Sequence, residues 1–135
     1  MKWPNDVLVN DKKIAGILIE VVKEVAIVGI GVNIDKAPLR EATCITSETA
    51  QLITRDDLLH AILQEIEKTY VEDIIEAYRR LSSTIGRAVQ VDIAGGKKVM
   101  GIAMEIDRDG HLLVSDGESE YLVVGGRCQH LDRRV

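Results

Sequence analysis

Residues 13–34 read KIAGILIEVVKEVAIVGIGVNI. Two apolar runs rich in β-branched residues, 13–22 and 25–34, flank the polar dipeptide Lys23-Glu24. Runs of this composition and length, broken by a turn, predict two strands of a hairpin with at least one face deeply covered. Upstream, VLVN at 7–10 predicts a short strand, and Asn10-Asp11-Lys12 has the composition of a tight turn. Three consecutive strands joined by such turns imply an antiparallel meander. Gly29-Ile30-Gly31 interrupts the last strand, which marks a bulge or something that closely approaches the backbone.

Beyond the meander the pattern changes twice. Residues 35–53 are mixed, contain Pro38 and a polar stretch at Thr46-Ser47-Glu48-Thr49, and predict a loop with a short helix. Thr54 then stands three residues before Asp57, the spacing of a helix-capping box. Leu58, Leu59, Ile62, Leu63 and Ile66 follow at helical spacing, a stripe wide enough to cover a sheet. A second helical pattern runs from about Glu72 to Leu81. The segment Ser82-Ser83-Thr84-Ile85-Gly86 breaks it. After that the period is two, with AVQVDI, VMGIAMEID, HLLVS and SEYLVV separated by glycine- and aspartate-containing turns. Four or five short strands in so few residues predict a small SH3-like barrel. The fold class expected is α+β, a partial mixed or antiparallel sheet with helices followed by that barrel, with domains at 1–84 and 85–135.

At 135 residues the chain has room for one ordinary domain or two small ones. Its hydrophobic content is 46% with no Phe, so Ile, Leu, Val and Ala must fill the core. A net charge of −5 without a Lys/Arg run gives no electrostatic footprint for nucleic acid. Cys44 and Cys128 form no CxxC pair and are expected to be free buried thiols; the three histidines lack metal-ligand spacing, and no structural metal is expected. No apolar stretch reaches the length of a membrane span, and the N-terminus lacks a secretory signal, so the expected location is the cytoplasm.

Individually the polar and glycine residues near the N-terminus carry little. Pro4-Asn5-Asp6 is a turn signal, and Lys13 reads as a solvated lysine at a strand start. Together, KWPND at 2–6, KIAGILIE at 13–20 and GIGVN at 29–33 form an ordered series of three motifs. This series resembles the second half of the catalytic domain of the biotin protein ligases, whose fold is that of the class II synthetases. The C-terminal segment, with Gly86, Gly101, Gly110 and Gly125-Gly126, resembles that family's SH3-like domain.

The resemblance implies a two-step reaction. Biotin's carboxylate attacks the α-phosphate of Mg2+-ATP to give biotinyl-adenylate, and a lysine of a biotin carboxyl carrier protein then displaces AMP. Lys13 matches the essential lysine, which reaches both the biotin carboxylate and the nucleotide. Asp6 matches the aspartate that orients or deprotonates the incoming amine. Gly16, Ile17, Gly29 and Gly31 match residues that line the biotin pocket, and Trp3 a residue of its wall. Lys2 and Asn33 match residues on the ATP side. Arg133 and Arg134 are basic residues near the C-terminus that could turn toward ATP.

The family's glycine- and arginine-rich loop, which normally precedes KWPND, has no counterpart in these residues. The chain is therefore expected to be the C-terminal part or subunit of a ligase. A separate N-terminal chain, a second copy of itself, or both would complete it. The competing expectation is a non-catalytic module that binds ligand or dimerises. Lipoate ligases share the fold but have different motifs. No helix-turn-helix segment is present, so a repressor role is not expected.

Overall fold

The computed structural model describes residues 1–68 and 73–131. They form two compact units, one of residues 5–68 and one of residues 1–4 together with 73–131. The division by contacts thus falls beside Asp73, not at the turn signal of 82–86, because the helix after it and the first four residues pack with the C-terminal strands. Glu72, Arg133 and Arg134 lie outside the described residues.

The first unit holds the meander. Strands β1 (Asp6–Val9), β2 (Lys12–Val22) and β3 (Val25–Val32) form an antiparallel sheet in that order. Asn10 and Asp11 both take positive φ, 51° and 59°, which gives the two-residue loop the twist that a hairpin requires. Lys23 opens the second turn at φ 57°. Because partners across a ladder share a face, Ile17, Ile19 and Val21 stand with Ile30, Val28 and Ala26 on one side. That side is apolar and uncovered among the described residues, with Val21 71% exposed.

Helix α1 (Ile45–Glu48) is the short helix expected in the loop. Helix α2 (Arg55–Lys68) starts at the expected capping box: the Asp57 N–H donates to Thr54 Oγ1 (3.2 Å) and the Thr54 N–H to Asp57 Oδ2 (3.1 Å). Its stripe does not cover the sheet as the periodicity predicted. Leu59, Leu63 and Ile66 are exposed, and the helix buries no residue. Amphipathic spacing specifies a face to be covered without saying what covers it.

The second unit is built on a five-stranded antiparallel sheet. Helix α3 (Ile74–Leu81) leads into β4 (Ala88–Asp92), β5 (Lys98–Ile106), β6 (Leu112–Ser115), β7 (Glu120–Val123) and β8 (Arg127–His130), in the order β7-β6-β5-β4-β8. Strand β8 was not legible in the sequence. RCQH turns one small apolar group, Cys128, inward, too little for a period of two to show. Val89, Val91, Ala103, Ile106, Leu112 and Val114 are fully buried and form the core. Arg79 fastens α3 to β5, donating from Nε to the Ile106 carbonyl (2.6 Å) and pairing with Glu105 (3.0 Å).

Trp3 belongs to this core. It is 2% exposed, its indole N–H donates to the Gly110 carbonyl (2.9 Å), and its backbone N–H donates to Thr84 Oγ1 (3.0 Å). The expectation that Trp3 lines a ligand pocket is therefore corrected: a side chain of this size, with its one polar atom satisfied, fills the C-terminal core. Both cysteines are buried, and Cys44 is a free thiol.

Candidate active site

The site grows out of an irregularity in the β1–β2 ladder. Asp6 pairs with Gly16 and Val7 with Ala15, but Leu8 pairs with Lys13, so Ile14 is an extra residue. One inserted residue reverses the alternation of side chains beyond it. Lys13 would otherwise share the face of Ala15. The bulge moves it to the face of Asp6 and Gly16. There the Lys13 ammonium lies 2.5 Å from Asp6 Oδ1. The carboxylate is the more sheltered partner, with the Asp6 side chain 20% exposed against 49% for Lys13.

Gly16 makes the pairing possible. A Cβ built there would lie 3.1 Å from Lys13 Nζ, 3.3 Å from Cε and 3.6 Å from Asp6 Oδ1, inside the volume the lysine occupies. Gly31 is the direct partner of Gly16 and Gly29 that of Leu18, so all three glycines share the Asp6–Lys13 face. At Gly29 and Gly31 an added Cβ would meet only backbone oxygens, at 3.7 and 4.0 Å. Among the described residues no side chain lies within 4 Å of the positions that a Cβ would take at these two glycines. Ile17 is different. Its side chain stands on the opposite, apolar face, and its N–H is taken by the Asn5 carbonyl (2.9 Å).

The backbone of Lys13 is held on both sides. Leu8 flanks it in β1, and on the other side residues 41–43 run parallel to it. The Lys13 N–H donates to the Glu41 carbonyl (3.1 Å), and the Thr43 N–H donates to the Lys13 carbonyl (2.8 Å). Asn33, just after β3, spans the same junction with its side chain and backbone. Thr43 is buried and donates its hydroxyl to Glu48, whose other oxygen accepts from Asn10 Nδ2 at 3.1 Å. Cys44 follows, and hydrogen bonds from the Ser47 and then the Thr46 hydroxyl hold its thiol below the usual range. Sequence reading missed Thr43 and Glu48. Its only signal for them was the polar stretch around Glu48, which reads equally well as a solvated loop.

The structure thus brings together Asp6, Lys13, Gly16, Gly29 and Gly31 on one face, with Asn33 beside the Lys13 backbone. Lys2 lies in the segment that packs with the C-terminal strands, where its neighbours Met1 and Trp3 bond to Ser83 and Thr84. Elsewhere among the described residues, one cluster has metal-ligand spacing, Asp107, Asp109 and His111. Its Asp107 carboxylate already accepts from the His111 and Asp109 N–H groups and from the His111 ring, as a turn-forming aspartate does. Chemically, the β2–β3 face offers a half-exposed cation, a sheltered carboxylate and a strip without side chains. This suits a flat ligand that carries an anionic group.

Comparison with known proteins gives the same direction. Residues 1–36 match the profile of the Biotin/lipoate A/B protein ligase family. The biotin–acetyl-CoA-carboxylase ligase of Mycobacterium tuberculosis is 34% identical over 140 residues, which cover 97% of this chain and 53% of that protein. The chain spans about half or less of the length of the curated relatives it matches. In fold it is similar to biotin protein ligase from Aquifex aeolicus in complex with biotin and ATP, with a TM-score of 0.78 and 24% identity, covering 96% of this chain and 61% of the other. It is also similar to the Leishmania major enzyme in complex with biotinyl-5-AMP, with a TM-score of 0.56 and 28% identity, covering 98% and 55%. With three motifs in order, matched residues on one sheet face and relatives of this kind, the chain belongs to the biotin protein ligase family.

Proposed function

We propose that this chain supplies one wall of a biotin protein ligase active site, as the C-terminal part or subunit of the enzyme. Residues 1–84 would be the second half of the catalytic domain and 85–135 its SH3-like C-terminal domain. The observation that carries the reading is the Lys13–Asp6 pair on the glycine face.

In the first step a carboxylate oxygen of biotin attacks the α-phosphorus of ATP, and the bond to the β-phosphate breaks to release pyrophosphate. Two anions must meet, so a fixed cation contributes most where both charges converge. Lys13 is that cation. Its braced backbone and half-exposed ammonium let it leave Asp6 for the incoming oxygens. In the second step the amine of a carrier-protein lysine attacks the carbonyl carbon and AMP leaves. Asp6, freed from Lys13, takes the proton of the attacking amine. Gly16, Gly29 and Gly31 leave room for the ring system, with Ile17 supporting the pocket from behind, and Lys2 and Asn33 complete the nucleotide side. Mg2+ enters on the phosphates of ATP. The described face has two carboxylates, Asp6, already paired with Lys13, and Glu20, four residues beyond Gly16 along β2, which are too few and too far apart to hold the ion independently.

The glycine- and arginine-rich loop lies outside these residues and would come from elsewhere in the ligase or from a separate N-terminal chain. The apolar, uncovered face of β2–β3 favours a second reading, a non-catalytic module that assembles with a partner or a second copy through its sheet. One assay separates the two. The purified chain is incubated with biotin and radiolabelled Mg2+-ATP, alone and with extract of its source. Biotinyl-adenylate that appears with extract and disappears in Lys13→Ala supports the ligase reading; no adenylate under either condition overturns it.

A further inference from the structure

We propose that Asn33 is a positioning residue for Lys13, acting through the backbone rather than by touching phosphate. The inference rests on the ligase reading above and assigns to Asn33 the means by which it serves the nucleotide side.

An asparagine amide has two hydrogens to donate, and its oxygen can only accept. In Asn33 both hydrogens are committed. Nδ2 donates to the Thr43 carbonyl at 3.0 Å and to the Lys13 carbonyl at 3.4 Å. Both partners are carbonyls, so the orientation of the amide is fixed by chemistry: the reversed amide would set oxygen against oxygen. What remains for a ligand is Oδ1, an acceptor, and phosphate oxygens are acceptors too. A direct bond from Asn33 to phosphate would require breaking one of these two contacts.

The backbone of Asn33 closes the same junction. Its N–H donates to the Ile14 carbonyl (2.9 Å), and its carbonyl accepts from Ile45 (2.9 Å). Asn33 therefore ties the end of β3 to the bulge of β2 and to the 43–45 segment at one point. Through Thr43 the connection reaches Lys13 a second time, because the Thr43 N–H donates to the Lys13 carbonyl (2.8 Å). The bulge that aims Lys13 is held from β1 on one side and by this brace on the other. An inserted residue has lost its ladder partner, so the brace fixes the origin from which the lysine stem extends.

The test uses two measurements on the whole chain. Hydrogen exchange is read at the Thr43 and Lys13 amides in the native chain and in Asn33→Ala. Exchange at least ~10-fold faster at both supports the brace; unchanged protection overturns it. In the extract-supplemented adenylation assay, Asn33→Ala is expected to lower kcat about 10- to 100-fold, since small misplacement of a reacting group has effects of that order. The KM for ATP should change less than ~3-fold, because misplacing the lysine lowers turnover without removing a binding contact. A rise in KM for ATP with kcat unchanged would mean direct nucleotide contact and overturn the inference. If Lys13→Ala leaves adenylation intact, the ligase reading fails, and the exchange measurement still decides the brace.

Discussion

Gly16→Ala isolates the Lys13–Asp6 pair from the fold that carries it. The added methyl would sit 3.1 Å from Nζ and 3.3 Å from Cε, too close by a few tenths of an ångström. The neighbour that must move is the end of a flexible side chain that is 49% exposed, so the lysine can swing into water while the strand stays in place. The lost ion pair is worth ~0–1 kcal/mol at such exposure. Replacing glycine by alanine stiffens the unfolded chain and returns about 0.4–1 kcal/mol, because Gly16 sits in an ordinary extended strand conformation. The two nearly cancel, and the melting temperature should move by no more than about 5 °C. Chemistry should respond differently. With the ammonium displaced by an ångström or more, adenylate formation in the supplemented assay should fall about 100-fold. The Lys13 ammonium resonance should also lose its contact with the Asp6 carboxyl. A variant that melts more than ~10 °C lower would show that Gly16 is needed for folding, and one with full adenylation would show that the pairing is irrelevant. Either result refutes the reasoning.

Three further outcomes follow from the second unit. Trp3→Ala removes the largest core side chain and should destabilise by ~3–5 kcal/mol, read as a loss of the cooperative transition in far-UV circular dichroism; a shift below about 1 kcal/mol would contradict its burial. Gly101→Ala places a Cβ 2.2 Å from the Ser115 carbonyl oxygen, a backbone atom that cannot step aside, so β5 and β6 must separate there. A loss of ~1–3 kcal/mol or more in urea unfolding is expected, and native-like stability would refute the close approach. The Asp116 carboxyl is held below the usual aspartate range by the Ser119 and Glu118 N–H groups and then by the Tyr121 hydroxyl. Its contribution is present above the ordinary value near 4 and is lost as pH falls through the lowered folded value. Asp116→Asn should therefore lower the melting temperature at pH 7 and flatten the acid limb between pH 5 and 2. Superimposable acid limbs would exclude the linkage.

The meander, its turns and the capping box could be read directly because each is a local device. Positive φ at Asn10 and Asp11, the Thr54–Asp57 pair and alternation in β4–β7 leave marks within a few residues. What escaped the sequence depends on register or on distance along the chain. Nothing in KKIAG says that Ile14 is an extra residue, yet that insertion decides which way Lys13 faces. The resemblance supplied the cast of the site, whereas the brace by Asn33 and Thr43 needed the fold to become visible, since its partners lie 10 to 20 residues apart. Trp3 was misplaced for the same reason: its partners, Thr84 and Gly110, follow it by 81 and 107 residues. The α2 stripe shows the converse, a clear local pattern whose counterpart is not in the described chain.

The membership of Met1–Pro4 in the C-terminal unit constrains how the protein can be dissected. A clone starting at Asp73 would encode every strand of the five-stranded sheet and still lack its keystone, because Trp3 is encoded upstream of that cut. Likewise a clone ending before Asp73 would carry an orphan tryptophan with no indole acceptor and no Thr84. The unit is contiguous in space and discontinuous in the gene. A designer who wants it alone should join the MKWP tetrapeptide to residue 73 through a linker instead of choosing a cut site.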